Sequence, residues 1–137
     1  MMKTRSITEV AKSFLDDCIP PDGIVCDFTM GTGHDTLWFS GLVPAGHVYA
    51  FDVQPLALER TRERLDAAGG CPNVTLILDS HEHFERYVGV PFDAGMFNLG
   101  YLPTSDRVLT TKAETSLAAV KKAVEHVKVG GTVVVVV

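Results

Sequence analysis

No stretch of this sequence is apolar for anything close to the ~20 residues a membrane-spanning helix needs. Its opening, Met1-Met2-Lys3-Thr4-Arg5, leads into an amphipathic pattern and not into the apolar core of a signal peptide. No membrane partner and a cytoplasmic location are therefore expected. Cysteine is scarce. Cys18, Cys26 and Cys71 are an odd number without CxxC spacing, which excludes a disulfide framework or a zinc site built on cysteine pairs. Basic residues are outnumbered, 12 Lys and Arg against 17 Asp and Glu, for a net charge of −5. Such a chain has no general attraction to a phosphate backbone, so a nucleic-acid partner would need a local basic patch. Repeats, low-complexity tracts and linkers are absent as well. What is present, 46% hydrophobic and 21% charged residues in a chain of 137, is the composition of one ordinary globular domain spanning residues 1–137.

Helical and strand patterns alternate along the whole chain, which predicts an α/β fold with a mostly parallel sheet. Ser6-Ile7-Thr8-Glu9 fits a capping box, and Ile7, Val10, Ala11, Phe14 and Leu15 then mark one helix face. Pro20-Pro21 ends that helix. Ile24 to Phe28 reads as a strand, Gly33 to Gly41 as a helix, and His47 to Phe51 as a second strand ending at Asp52. Pro55 opens a helix through Leu65, and Asn73 to Leu78 is a third strand. A short helix over Glu82 to Tyr87 precedes a fourth strand, Phe92 to Leu99. Thr111-Lys112-Ala113-Glu114 is a second capping box, with Ala113, Leu117, Val120, Val124 and Val127 on one helix face. Gly130-Gly131 should break that helix before a valine strand, Val133 to Val137. Five consecutive strands with helical crossovers give a Rossmann-like, doubly wound sheet.

Chemistry concentrates where the first strand meets its helix, at Asp27-Phe28-Thr29-Met30-Gly31-Thr32-Gly33. Glycine there allows a tight turn and close approach of a ligand, and the helix start offers free N–H groups. Asp52 lies about 20 residues beyond Gly33, the spacing of an acid that grips ribose hydroxyls. Thr36 stands where a dinucleotide fingerprint has its third glycine, and Asp27 brings a carboxylate to the turn. A carboxylate repels a pyrophosphate but favours the ammonium and sulfonium of S-adenosyl-L-methionine. The alternatives are a nicotinamide oxidoreductase and a plain strand–helix turn with two solvated aspartates. Asp79-Ser80 closes the third strand, where a carboxylate can accept from an adenine amine or simply cap a helix. The histidines of His81-Glu82-His83, two residues apart, point away from each other, so no metal site is expected.

Asn98-Leu99-Gly100-Tyr101 ends the fourth strand at the carboxyl edge, where open α/β sheets bind ligands. An amide with neighbouring carbonyls can orient an amine, as in the Asn/Asp-Pro-Pro-Tyr motif of amino-group methyltransferases, although the prolines are missing here. A strand-end turn using Asn and Gly is the other reading.

Met30-Gly31-Thr32-Gly33-His34-Asp35-Thr36, Ala50-Phe51-Asp52-Val53-Gln54, Asp79-Ser80-His81-Glu82 and Phe97-Asn98-Leu99-Gly100-Tyr101-Leu102-Pro103 together resemble the small bacterial class I methyltransferases labelled rRNA methylases. Members of that family act on tRNA, methylating the aminomethyl group of wobble 5-aminomethyl-2-thiouridine. The resemblance implies an S-adenosyl-L-methionine-dependent enzyme with an RNA partner. It implies that Asp27, Gly31 and Gly33 surround the methionine part of the cofactor, with Met30, Thr32, His34, Asp35 and Thr36 also among the cofactor-binding residues. Asp52 would hold the ribose with Gln54 close by, while Asp79 and Ser80 would face the adenine with His81 beside them. Asn98, Leu99, Gly100 and Tyr101 would frame methyl transfer. Asp106, Thr110 and Thr111 match a polar stretch of unassigned role. The rival to an enzyme is a non-catalytic nucleotide-binding module on the same fold. The family pattern continues for two further strands, whereas this sequence stops at Val137. Thr132 to Val137 is thus expected to form an exposed edge without charge, proline or bulge, which either supports a homodimer or is covered by the rest of a longer protein.

Overall fold

The alternation read from the sequence forms one five-stranded parallel sheet in a computed structural model that describes residues 7–99 and 106–136. The elements are α1 (Ile7–Asp16), β1 (Ile24–Asp27), α2 (His34–Leu42), β2 (His47–Asp52) and α3 (Pro55–Ala67). They continue with β3 (Val74–Leu78), a 3₁₀ helix (His81–Arg86), β4 (Phe92–Asn98), α4 (Asp106–His126) and β5 (Val127–Val136). Strand order is β3-β2-β1-β4-β5, so the order reverses between β1 and β4. Cys26 pairs with Tyr49 on one side and Gly95 on the other. A crevice opens beyond the carboxyl ends of the strands at such a reversal, and it is where this fold binds ligands.

Strand side chains alternate between two apolar layers. One holds Leu15, Val25, Phe39, Val48, Ala94 and Met96, under α1 and α2. The other holds Phe28, Phe51, Phe84, Phe92, Phe97, Ala119 and Ala123, under the 3₁₀ helix and α4. Phe28 is the hub of this second layer. Its ring stacks on Phe97 at 4.2 Å between centroids and meets Phe84 edge-on at 5.2 Å. Gly95 leaves the room, since a Cβ there would come within 2.7 Å of the Phe28 ring.

The structure revises several local expectations. On α1, Ala11 and Leu15 are buried in the layer with Val25, Phe39 and Met96, but Val10 and Phe14 are exposed. On α4 Ser116, Ala119 and Ala123 are buried and Val120 packs beside them as expected, whereas Leu117 and Val124 are exposed. Small residues form the buried centre of that face, against the ring layer beneath. Thr111 lies inside α4, which begins at Asp106, so the expected capping box is not a helix start. The glycine pair 130–131 does not separate helix from strand. Instead β5 runs from Val127, and its pairing with β4 slips between Phe92↔Val127 and Ala94↔Thr132. That bulge, together with Lys128 bound to Asp93 at 3.3 Å, stands just before the valine run, while Thr132 to Val136 pair with β4 without a break.

Gly95→Ala should lower stability by about 1–3 kcal/mol, the usual cost of overpacking a core. Urea denaturation reads it, and an unchanged midpoint would show that the Phe28 ring shifts freely.

Candidate active site

A cavity of about 770 Å³ opens at the carboxyl edge of β1, β2, β3 and β4. Of the residues expected from sequence, Met30, Gly31, Thr32, His34, Asp35, Asp52, Gln54, Asp79, Ser80, His81 and Asn98 all line it. Four others do not. Asp27 is 1% exposed and lies beneath the glycine turn, where its carboxylate accepts from the Thr36 hydroxyl at 2.7 Å and the Thr29 N–H at 3.3 Å. Thr36 is buried with it. Gly33, with φ +84°, packs against α3 so closely that a Cβ would sit 2.8 Å from the Thr61 Cα. Leu99 turns its side chain into the core and donates its N–H to the Val136 carbonyl. Gly100 and Tyr101 lie outside the described residues.

The turn is braced from behind. Thr61 donates its hydroxyl to the Gly31 carbonyl at 3.3 Å, and Arg64 Nε donates to the Thr32 carbonyl at 2.9 Å. Asp52 accepts the Gly31 N–H at 3.2 Å and the Gln54 N–H at 3.0 Å, which fixes its carboxylate at the cavity wall. Each carboxylate oxygen has a further lone pair for a hydroxyl donor.

Asp79 is more heavily engaged. It accepts from Ser80 N–H, His83 Nδ1 and the Tyr87 hydroxyl at 2.7, 2.9 and 2.6 Å. The bonds from His83 and then Tyr87 draw its pKa down to about 2. Ser80 is the cap of the 3₁₀ helix, its hydroxyl accepting from Glu82 N–H at 3.4 Å. His81 and His83 point apart, as their spacing implied. His81 Nδ1 donates to the Phe28 carbonyl at 3.0 Å, which leaves Nε2 as an acceptor 3.4 Å from the Ser116 hydroxyl. Burial pushes the His81 pKa down and keeps the ring neutral. At the tip of β4, the Asn98 N–H donates to Thr29 Oγ1 at 2.8 Å.

Sequence reasoning missed Lys12, Thr29 and Ser116, which also line the cavity. Lys12 and Ser116 come from helices distant in sequence, and no local motif marks them. Thr29 sits inside the glycine motif and could have been read from its place between Asp27 and Gly31.

Asp27 also makes the site sensitive to pH. Burial first, and then the nearby Asp35, raise its pKa from 3.8 to about 7 against the pull of its two hydrogen bonds. The folded state then holds a proton that the unfolded state releases near pH 4, so this contribution to stability is present below that pH and is lost as pH rises through 7. Asp27→Asn, which keeps the neutral form, should gain on the wild type by more than about 1 kcal/mol between pH 4 and 8. Parallel denaturation curves across that range would show that Asp27 is ionised throughout.

Comparison with known proteins agrees with this geometry. Residues 48–137 match the family described as "Putative rRNA methylase". The chain is 35% identical to the chloroplastic tRNA (mnm(5)s(2)U34)-methyltransferase of Arabidopsis thaliana, over 97% of its own length and 53% of that protein. It thus spans about half the length of this curated relative. A Streptococcus mutans methyltransferase solved in complex with SAH superposes with a TM-score of 0.83 at 40% identity, covering 96% of this chain and 73% of that one. An rRNA methylase from Streptococcus thermophilus gives 0.81 at 35% identity, covering 98% and 74%. A five-stranded parallel sheet in the order β3-β2-β1-β4-β5, a glycine turn that lines one cavity with Asp52 and Asn98, and these matches lead to one assignment: this chain belongs to the rRNA methylase family of Rossmann-like methyltransferases.

Proposed function

We propose that residues 1–137 form a domain that binds S-adenosyl-L-methionine in this cavity and methylates RNA, at the 5-aminomethyl group of a tRNA wobble 2-thiouridine. The observation that carries the reading is that one cavity takes in the glycine turn, the fixed Asp52 carboxylate and Asn98 together. The S. mutans relative in complex with SAH supports the cofactor, and the Arabidopsis relative's name supports the substrate. Arg60 and Arg64 beside the cavity supply local positive charge that the net −5 conceals, although Glu63 lies among them.

In this reaction the amine lone pair attacks the sulfonium methyl. A nitrogen–carbon bond forms as the carbon–sulfur bond breaks, leaving S-adenosylhomocysteine. The sulfonium is already electrophilic, so proximity and alignment are the protein's main contribution. Asn98, whose backbone is held by Thr29, orients the amine, and Asp52 accepts from the ribose hydroxyls. The amine sheds its proton before attack, and desolvation beside a sulfonium lowers the amine's pKa toward that end. The cytosol is the proposed compartment. Among the described residues no helix is long and apolar enough to cross a membrane, and the Arabidopsis relative is chloroplastic. A homodimer through the outer edge of β5, where Val135 is exposed, is part of the same proposal. Light scattering over a dilution series should show association that Val135→Lys weakens; a monomer indifferent to the lysine would remove the dimer.

Mass spectrometry of tRNA incubated with protein and cofactor tests the activity. Methyl gain on 5-aminomethyl-2-thiouridine is expected. Affinity for NAD in place of S-adenosylmethionine would instead indicate an oxidoreductase, and cofactor binding without transfer a binding module. Asp52→Ala should weaken cofactor binding by ~1.5–3 kcal/mol, the scale of hydrogen bonds to a charged group. Asn98→Ala should reduce the transfer rate much more than cofactor affinity. Calorimetry and single-turnover rates separate the two roles, and unchanged values in folded variants would withdraw them.

A further inference from the structure

Helix α3 carries three arginines that no carboxylate holds. Among the described residues Lys12, Lys122 and Lys128 are each ion-paired at 3.3 Å or less, whereas Arg60, Arg62 and Arg64 have no acid within ion-pair distance. Two of the three share a helix face. Arg60 and Arg64 stand in line with Leu56, each one turn from the next, while Arg62 projects from another side. Leu56 is exposed and lines the active-site cavity. Arg60 lines both that cavity and a shallow groove between α2 and α3, and Arg64 lies in the groove. The stripe therefore leads from the mouth of the cavity out along the surface of the domain. Arg64 is set in place, its Nε donating to the Thr32 carbonyl at 2.9 Å and its Nη1 lying 3.3 Å from His34 Nδ1. Arg60 has no hydrogen-bond or ionic partner among the described residues.

We propose that the Leu56–Arg60–Arg64 stripe of α3 is a track for the phosphate backbone of the RNA substrate, Arg60 and Arg64 each taking a phosphate as the strand runs to the cavity. The proposal rests on the RNA reading above. A guanidinium matches phosphate oxygens as a planar fork and is weakly hydrated, so it gives up little on docking. One helical turn sets the two arginines about 6 Å apart along the axis, a step that successive phosphates of a strand can follow. Leu56 offers apolar surface to the sugar or base nearest the mouth. A chain with a net charge of −5 repels RNA as a whole, so the arginines left uncompensated decide where a strand can approach. Glu63 lines the same groove and opposes the strand, which limits the affinity of the track.

Fluorescence anisotropy with a labelled tRNA anticodon stem-loop, over a salt series, reads the phosphate contacts, and calorimetry with S-adenosylhomocysteine reads the cofactor site. Arg60→Gln should weaken stem-loop binding roughly fivefold at about 0.1 M salt and make log Kd against log salt shallower by about 0.7, the counterion release of one contact to a single strand. Arg60→Lys should restore most of both, because a phosphate also accepts a point charge. Arg62→Gln removes the same charge from another side of α3 and should change affinity and slope far less. Glu63→Gln should tighten binding. S-adenosylhomocysteine affinity should be unchanged in all four variants. Equal losses from Arg60→Gln and Arg62→Gln would reduce the effect to net charge, and a matching loss of S-adenosylhomocysteine binding would make Arg60 part of the cofactor site; either overturns the proposal. A wild type that binds S-adenosylhomocysteine but not the stem-loop would instead overturn the RNA reading and this inference with it.

Discussion

A carboxylate buried at the end of the first strand ties the site together. Asp27 is 1% exposed, in a layer where an unpaired charge or polar group would be costly. It is tolerated because the Thr36 hydroxyl and the Thr29 N–H both point at it. Those bonds join β1, the glycine turn and α2 into one unit. Thr29 extends the unit to the tip of β4, because its hydroxyl accepts the Asn98 N–H. Asp27 therefore reaches the cavity only through what it holds, and the turn and Asn98 keep their relative positions before any ligand binds.

This arrangement accounts for what the sequence revealed and what it hid. Proline and glycine punctuation marked most elements, because those residues constrain the backbone locally. Asp52 was legible because a strand end at a set distance from the glycine turn leaves few places for its side chain to go. Asp27 and Thr36 carried the right motif, yet spacing alone does not say whether a polar residue faces a ligand or supports the turn from below. Lys12 and Ser116 left no local trace. Their helices read as ordinary amphipathic segments, and only the packing of α1 and α4 against the sheet brings them to the cavity. The face of α4 was misread because hydrophobic periodicity favours large residues. Against the ring layer around Phe28, Ser116, Ala119 and Ala123 form the buried centre of the face, with Val120 beside them and Leu117 and Val124 turned outward.

The reversal of strand order between β1 and β4 explains how distant segments meet. Successive strands run outward from β1 to β3, and the chain then returns to add β4 on the other side of β1. The ends of β1 and β4 thus stand side by side with helices from both layers around them. α1 and α2 bring Lys12 and Asp35 from one layer, while the 3₁₀ helix and α4 bring His81 and Ser116 from the other. Sheet order, more than any single motif, decides which side chains share the cavity.

Charge is then distributed along that cavity in a way that suits a cationic ligand. Asp52 and Asp79 are held in place by backbone N–H groups, and Asp79 by His83 and Tyr87 as well, so neither needs to reorganise when a ligand arrives. His81 sits among the carboxylates and could have become a cation, since both Glu82 and Asp52 favour its charged form. Burial outweighs them, and the bond to the Phe28 carbonyl fixes Nδ1 as the donor. A neutral ring here matters because an imidazolium would repel a sulfonium in the same cavity. The same burial that packs His81 against Phe97 thus keeps a competing positive charge out of the cavity, and leaves the Nε2 lone pair to accept the Ser116 hydroxyl.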